Sequence, residues 1–229
     1  MNTIIVEDIE VEVVKKNIKN MNLSVHQPDG RVRLSVPRRV SEENTRLFII
    51  SKLGWIKKHR ERIASKSIET PKEFVSHESH YLFGNAYTLN IIESKSKQRV
   101  EIQDNYINLY VRPRSTIEKR EKIMSEWYRE NLKNVIPKYI KKWEDLIGVT
   151  ISEWRVKLMK TRWGTCNIRD KRIWINLELA KKDLKFLDYI VVHEIVHLLE
   201  RNHNDKFKSH MDIYLPNWRE IQDELNGLN

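Results

Sequence analysis

Apolar residues alternate with polar ones through much of the first hundred residues, which is the spacing of strands with one buried face. The alternation covers residues 9–14, resumes at 23–25 and returns at 32–36, after the turn-forming sequence Pro28-Asp29-Gly30. Pro37 cannot donate to a sheet ladder, so it should end the last of these strands. The start of the chain is therefore predicted to contain a β-hairpin.

Helical spacing replaces the alternation over residues 46–63, and Ser41 can cap this helix at its N-terminus. Strand patterns then return between residues 81 and 111, with a turn at Gly84-Asn85. The sequence Arg112-Pro113-Arg114-Ser115 has the composition of a boundary. We therefore expect a β-rich N-terminal region that covers residues 1–114.

The second half of the chain has longer helical patterns. A helix is predicted over residues 117–147, with a bend at Pro137. Strands are predicted over residues 150–158 and 172–177, on either side of a turn that includes Trp163-Gly164-Thr165-Cys166.

Two more helices complete this half. Asp183 can cap a helix that runs through His193 to about Arg201, and a final helix covers residues 218–225. Residues 115–229 are therefore expected to form a second domain, and the chain as a whole an α+β fold.

The segment His193-Glu194-Ile195-Val196-His197 carries the chemistry. Residues four apart lie on the same face of a helix, so the two imidazoles can aim at one point. Glu194 lies about 100° round the helix, where its carboxylate can act as a general base towards metal-activated water. Most of the helix circumference is apolar, so the helix should be buried, and buried histidines need partners. A divalent cation would partner these side chains.

His203 is the best candidate for a third ligand, because a catalytic zinc usually takes three protein ligands. It follows His197 by six residues, and Asn202 can end the helix in a left-handed conformation that turns the chain back. The metzincins use the same spacing but have a glycine where this chain has Glu200, so their details do not transfer. Glu220 and Asp223 are weaker alternatives for the third ligand, as in gluzincins.

Imidazole ligands suit zinc, so we expect one Zn²⁺ per chain, although iron, cobalt, nickel or manganese could replace it. The alternative is that these are core histidines satisfied by ordinary hydrogen bonds. Cys166 could be a ligand, as in peptide deformylases. The other deformylase motifs are absent, however, and a free buried cysteine is the usual case.

Other residues are candidates for the substrate cleft. Arg162 and Trp163 could line it near an edge strand, although a core position for Trp163 is at least as common. His210 and Tyr214 lie at distances that could return them to the cleft, where either could polarise a carbonyl or stabilise an oxyanion. Surface or core roles are commoner for both.

Several of these segments together resemble the YgjP-like metallopeptidase family, which is described as predicted metal-dependent hydrolases and is similar in its C-terminal part to SprT-like proteases. The resemblance is carried by residues 162–166, 173–176, 188–194 and 200–203, and the Pro-Asp-Gly hairpin extends it towards the N-terminus. It implies a zincin-like catalytic domain with an active-site HExxH helix and the same metal ligands. The chain departs at Lys208, where an aromatic residue is expected.

Charge and composition bear on partners and location. A net charge of +10 favours anionic partners such as nucleic acid or acidic substrates, although a well-solvated lysine-rich surface explains it equally well. A single cysteine excludes an internal disulfide and fits the cytoplasm. No apolar run near the motif is long enough to cross a membrane, and the first twenty residues lack the apolar core of a secretory signal.

The leading hypothesis is a zinc-dependent hydrolase. The narrower assignment as a peptidase, with a peptide or protein as substrate, rests on the family resemblance and on the frequent occurrence of HExxH in peptidases. One alternative is a nucleic-acid-associated protein, with a structural metal or with protease activity on DNA-bound protein. Another is a non-peptide amidohydrolase. A structural zinc more often has four protein ligands that include cysteines, so three ligands favour catalysis.

Overall fold

The computed structural model describes residues 2–26, 29–65 and 72–227. The chain divides into two compact units, Met1–Pro71 and Lys72–Asn229. Each unit combines helices with β-sheet, which confirms the predicted α+β class. Among the helices in the described ranges, none is long and apolar enough to cross a membrane.

The first unit is built on a four-stranded sheet with the order β1-β2-β4-β3. Its strands are β1 (Asn2–Val6), β2 (Ile9–Lys16), β3 (Asn22–His26) and β4 (Arg31–Pro37). Strands β2 and β4 run parallel, whereas β1 pairs with β2, and β3 with β4, antiparallel. The alternating apolar side chains form a core with Ile49 and Ile56 from the helices that follow.

The predicted hairpin is the β3–β4 pair, closed by Gly30 at φ +68. Pro28 of the predicted turn lies outside the described residues. Two helices follow, α1 (Glu42–Ser51), capped by Ser41 as predicted, and α2 (Leu53–Ser65). One continuous helix was expected here, and that expectation is wrong. The break falls at Lys52, whose backbone N–H bonds to the carbonyls of Ile49 and Ile50 and ends α1.

The second unit begins with another four-stranded sheet, with the order β5-β6-β8-β7. Its strands are β5 (Ser79–Leu82), β6 (Asn85–Glu93), β7 (Arg99–Gln103) and β8 (Tyr106–Val111). The long helix α3 (Ile117–Ile147) follows and contains Pro137. Sheet and helix contribute to one hydrophobic core, for example through Leu89, Leu109 and Leu132. This shared core explains why the compact unit starts at Lys72, well before the boundary expected near residue 114.

A three-stranded sheet and three helices complete the second unit. The sheet has the order β10-β11-β9, formed by β9 (Glu153–Lys157), β10 (Gly164–Asn167) and β11 (Arg172–Asn176). A short 3-10 helix, Leu177–Lys181, leads into α4 (Leu184–Val196), α5 (Asp205–Tyr214) and α6 (Trp218–Gly227).

Two expectations for this region are wrong, and one helix was missed. Most of the predicted turn at residues 163–166 belongs to strand β10, which pairs antiparallel with β11. Helix α4 ends at Val196 rather than near Arg201, because the chain tightens: Leu198 and Leu199 bond to carbonyls only three residues back. Helix α5 had no sequence prediction at all, although Asn204 caps it through its side chain.

Candidate metal centre and active site

Helix α4 is the buried element that carries the chemical motif. Asp183 caps its N-terminus by accepting a hydrogen bond from the backbone N–H of Lys185, as predicted. Asp188 ties the helix to α3, because its two carboxylate oxygens accept from Trp143 Nε1 at 2.6 Å and from Lys142 Nζ at 2.7 Å. On another side, Gln222 of α6 donates to the Tyr189 hydroxyl at 2.9 Å. The helix is therefore fixed by polar contacts as well as by its apolar surface.

The structure brings the three predicted ligands together. One nitrogen from each of His193, His197 and His203 lies within 4.8 Å of the others, and the Nε2 atoms of His193 and His203 are 2.9 Å apart. A tetrahedral zinc with Zn–N bonds of about 2.0–2.1 Å needs ligand nitrogens about 3.3 Å apart. The donor set therefore suits zinc in type, and the separation of His193 and His203 is close to the spacing required. Within the described ranges, no other His, Cys, Asp or Glu side chain joins this group.

The ring states also suit metal binding. His197 Nδ1 lies 3.2 Å from the carbonyl oxygen of Glu200, so an N–H there can donate to the backbone and leave Nε2 as the free ligand atom. Burial, followed by the charges of His197 and His203, lowers the pKa of His193 to about 3. Burial also lowers the pKa of His197. Both rings are therefore neutral at pH 7, which is the form that binds a metal.

His203 reaches the other two imidazoles from an irregular segment between α4 and α5. Asn202 does not take the left-handed conformation that was expected of it. The chain turns instead through tight bonds at the end of α4 and a further bond from the backbone N–H of Asn204 to the carbonyl of Asn202 at 2.8 Å. His203 is exposed, whereas His193 and His197 are half-buried.

Phe207 lies against all three imidazoles, and the sequence offered no prediction for it. Its ring centroid is 5.0 Å from that of His193, 4.8 Å from His197 and 4.7 Å from His203. The side chain is 1% exposed, so it packs a buried apolar ring against the ligands. The sequence does contain a local signal for its position, because Asn204 can cap a helix in which Phe207 is the third residue. That helix was not predicted. The neighbouring Lys208, where an aromatic was expected, is exposed and pairs with Asp205.

Glu194 is buried beside the three histidines, with 5% of its surface exposed. Burial raises the pKa of its carboxyl to about 8, against the opposing effect of the Arg162 charge. Its neighbour is Gly164, the first residue of β10. A Cβ atom at Gly164 would lie 2.6 Å from Glu194 Oε1 and 2.8 Å from both Glu194 Cγ and Ile190 Cγ2. The carboxylate thus occupies space that only glycine leaves free.

Asn176 holds the chain segment that leads into β10. Its Oδ1 accepts from the backbone N–H groups of Met159 and Glu178, both at 3.2 Å. Its Nδ2 donates to the carbonyls of Met159 at 2.9 Å and Arg162 at 2.7 Å. Asn176 belongs to a segment that carried the family resemblance, but the sequence assigned it no role. Its position at the end of a strand, facing a loop far away in sequence, gave no local signal.

A cavity of about 800 Å³ opens at this site. Its lining includes the three histidines and Glu194, together with Arg162, Trp163 and Cys166. The structure therefore places Arg162 and Trp163 at the cleft, beside the edge strand β10, as expected. Burial, followed by the charge of Glu194, raises the pKa of the Cys166 thiol to about 12, which disfavours the thiolate that metal ligation requires.

Four weaker candidates lie away from the lining of this cavity. His210 and Tyr214, both among the described residues, stack on each other with ring centroids 6.3 Å apart and do not line it. Glu220 and Asp223 of α6 are absent both from the described lining and from the group of potential ligands. The structure thus separates these side chains from the histidine cluster.

Known protein families and solved structures resemble this chain. The family description "YgjP-like, metallopeptidase domain" matches residues 19–228. No curated protein matches the chain. Among solved structures, the chain is similar to the metallopeptidase zymogen of Pyrococcus abyssi abylysin, at 18% identity over 39% of this chain and 90% of that chain, with a TM-score of 0.37. It is also similar to the metallopeptidase zymogen of Methanocaldococcus jannaschii jannalysin, at 22% identity over 39% and 86%, with a TM-score of 0.36.

Proposed function

Since the chain belongs to the YgjP-like metallopeptidase family, we propose that it hydrolyses peptide bonds with one zinc ion held by His193, His197 and His203. The observation that carries this proposal is the convergence of three imidazole nitrogens within 4.8 Å, at a cavity that also contains the carboxylate of Glu194. Three nitrogen ligands leave the fourth position of a tetrahedral ion free, as in catalytic rather than structural zinc sites.

When bound, zinc supplies the Lewis acidity that lowers the pKa of a water molecule and polarises a carbonyl group. Glu194 is the general base: the positive charge of a bound metal would counteract the effect of burial on its pKa, and the resulting carboxylate takes a proton from the attacking water and returns it to the leaving amine. Because α4 places Glu194 one residue after His193, its carboxylate lies beside the ligands without joining them. Phe207 packs its apolar ring against the three imidazoles and helps to hold them in place.

The substrate of this proposal is an extended peptide. Strand β10 forms one edge of its sheet and pairs only with β11 among the described residues, so its other edge is free for backbone hydrogen bonds. The free edge belongs to the same four residues that begin with Gly164, against which Glu194 packs. A peptide that pairs with β10 would therefore run past the general base.

Metal content tests the ligand assignment. Purified protein should contain one zinc per chain, and His203→Ala should lower occupancy strongly, because a two-histidine site holds zinc weakly. His210→Ala is the matched control, since His210 lies on α5 away from the cavity and should leave zinc content unchanged. Full occupancy in the His203→Ala protein would remove His203 from the ligand set.

Hydrolysis of a denatured, fluorescently labelled casein tests the base. Glu194→Gln should keep zinc and fold while the rate falls by about a thousandfold or more, because the amide cannot take the proton. Glu220→Gln makes the same chemical change away from the cavity and should retain wild-type activity. A Glu194→Gln protein within about tenfold of the wild-type rate, a barrier change of only ~1.4 kcal/mol, would show that another group is the base.

A further inference from the structure

The charged residues that line the active-site cavity are predominantly basic. They are Arg162, Arg201, Lys208 and Glu194, so the only carboxylate in the described lining is the buried one assigned to catalysis. The three cations, which we call the cationic rim, are all exposed. An 800 Å³ cavity whose exposed charged lining is all positive attracts ligands of the opposite sign.

The cationic rim is assembled from three separate segments of the chain. Arg162 directly precedes Trp163 and strand β10, Arg201 lies in the turn between the ligands His197 and His203, and Lys208 is on α5. Positive charge therefore reaches the cavity from both the edge strand and the ligand-bearing segment. A peptide that occupies this cavity would meet positive charge from both segments.

Two of the three cations form no salt bridge with a described residue, although the charge of Arg162 acts on the buried carboxyl of Glu194. Elsewhere in this unit, arginines pair with carboxylates, as Arg99 does with Glu101 and Arg219 with Asp212. Neither Arg162 nor Arg201 forms such a pair with any residue in the described ranges. Lys208 pairs with Asp205 at 3.1 Å, but the Asp205 side chain is 99% exposed, so that contact is weak and easily exchanged for another.

We propose that the cationic rim selects peptides with acidic side chains next to the bond to be cleaved. This inference rests on the proposed peptidase function and specifies its substrate class. Exposed ion pairs each contribute up to about fivefold in affinity, so three together should favour acidic over neutral peptides by about tenfold to a hundredfold at low salt. Glutamate or aspartate on both sides of the scissile bond engages the rim fully.

Binding measured without turnover tests the selection directly. Three fluorescein-labelled decapeptides share a central Ala-Leu pair, flanked by two residues on each side that are all Glu, all Gln or all Lys. Their affinities for zinc-loaded Glu194→Gln protein are measured by fluorescence anisotropy in 50 mM and 500 mM NaCl. We expect the order Glu, Gln, Lys, with at least a tenfold step from Glu to Gln at 50 mM that shrinks to about twofold at 500 mM, where screening is stronger.

Variants of the rim assign the effect to its residues. Arg162→Gln, Arg201→Gln and Lys208→Gln should each weaken the Glu peptide by about twofold to fivefold and leave the Gln peptide unchanged. The matched control is Lys206→Gln, an exposed lysine on the same helix as Lys208 that does not line the cavity; it should leave all three affinities unchanged. Cleavage of the same peptides by wild-type protein should follow the same order in kcat/KM.

Different outcomes contradict the acidic selection and the peptidase function. Equal affinities for the three peptides at 50 mM salt overturn the selection, even if wild-type protein cleaves all of them. Preferential binding of the Glu peptide with no cleavage by zinc-loaded wild type supports the rim and contradicts the peptidase. If a single-stranded dT20 oligonucleotide binds through the rim residues while peptide charge has no effect, the rim is a nucleic-acid surface and the proposal is wrong.

Discussion

Replacing Gly164 with alanine perturbs the general base without touching a metal ligand. The new Cβ would lie 2.6 Å from Glu194 Oε1 and 2.8 Å from Glu194 Cγ and Ile190 Cγ2. Since 3.4 Å is the onset of ordinary contact, the carboxylate oxygen must move by about 0.8 Å and its Cγ by about 0.6 Å. Both Glu194 and Ile190 belong to the buried helix α4, so neither can move without disturbing the core.

The magnitude follows from this displacement. Overpacking of this kind costs about 1–3 kcal/mol, which lowers Tm by about 2–4 °C per kcal/mol in a unit of this size. A misplacement of about 1 Å at a catalytic group costs on the order of a hundredfold in rate. Gly164→Ala should therefore lose about a hundredfold in kcat with little change in KM, while its zinc content stays at one per chain.

The assay combines three measurements on one preparation: zinc content, Tm and the rate of casein hydrolysis. Gly54→Ala is the control, because a Cβ at Gly54 meets nothing within 4 Å. A second comparison isolates the contact: in a Glu194→Ala background two of the three overlaps disappear, so Gly164→Ala should lower Tm less than it does in wild type. Wild-type kcat and Tm in the single variant would refute the close packing of Glu194 on Gly164.

Two further predictions concern residues outside the ligand set. Asn176→Ala removes four hydrogen bonds and should lower the free energy of unfolding by about 2–4 kcal/mol, with reduced hydrolysis but retained zinc. The control Asn167→Ala removes only exposed contacts and should lower it by under about 1 kcal/mol in the same thermal unfolding assay. Burial lowers the pKa of His80 in the folded protein despite its contact with Glu78. As pH falls, His80 is therefore protonated first in the unfolded chain, where its pKa is near 6.5. Stability should therefore fall as pH drops below about 6.5, and the Tm difference between pH 7.5 and 5.5 should be smaller in His80→Gln; an equal difference would exclude His80 as a source.

The part of the site that could be predicted from sequence is the part set by local geometry. His193, Glu194 and His197 lie within one helical turn, where spacing alone determines which side chains share a face. The proximity of His203 also followed from its short separation, although the turn is made without the left-handed residue that was expected at Asn202. Their assignment as zinc ligands stays a prediction.

The parts that were missed depend on contacts between distant segments. Gly164 was predicted to lie in a turn. The structure requires glycine there for another reason, because the side chain of Glu194, thirty residues later in the chain, packs against it. Asn176 bonds to a loop that its own sequence neighbourhood does not reveal. The boundary expected near residue 114 reflected a change in local pattern. The compact unit reflects burial of Leu89 and Leu109 in the same core as α3 and α4, which no local pattern reports.

Because His203 lies in an irregular segment between two helices, an ion bound at this site would also hold parts of the chain together. His193 belongs to α4, His197 directly follows its last residue, and His203 leads into α5, so a bound zinc would act as a cross-link between α4 and the C-terminal helices. At a hundred times its dissociation constant, such a ligand adds about 2.7 kcal/mol to the folded state. Under the proposed function, loss of the metal would therefore lower the stability of the folded chain as well as its activity.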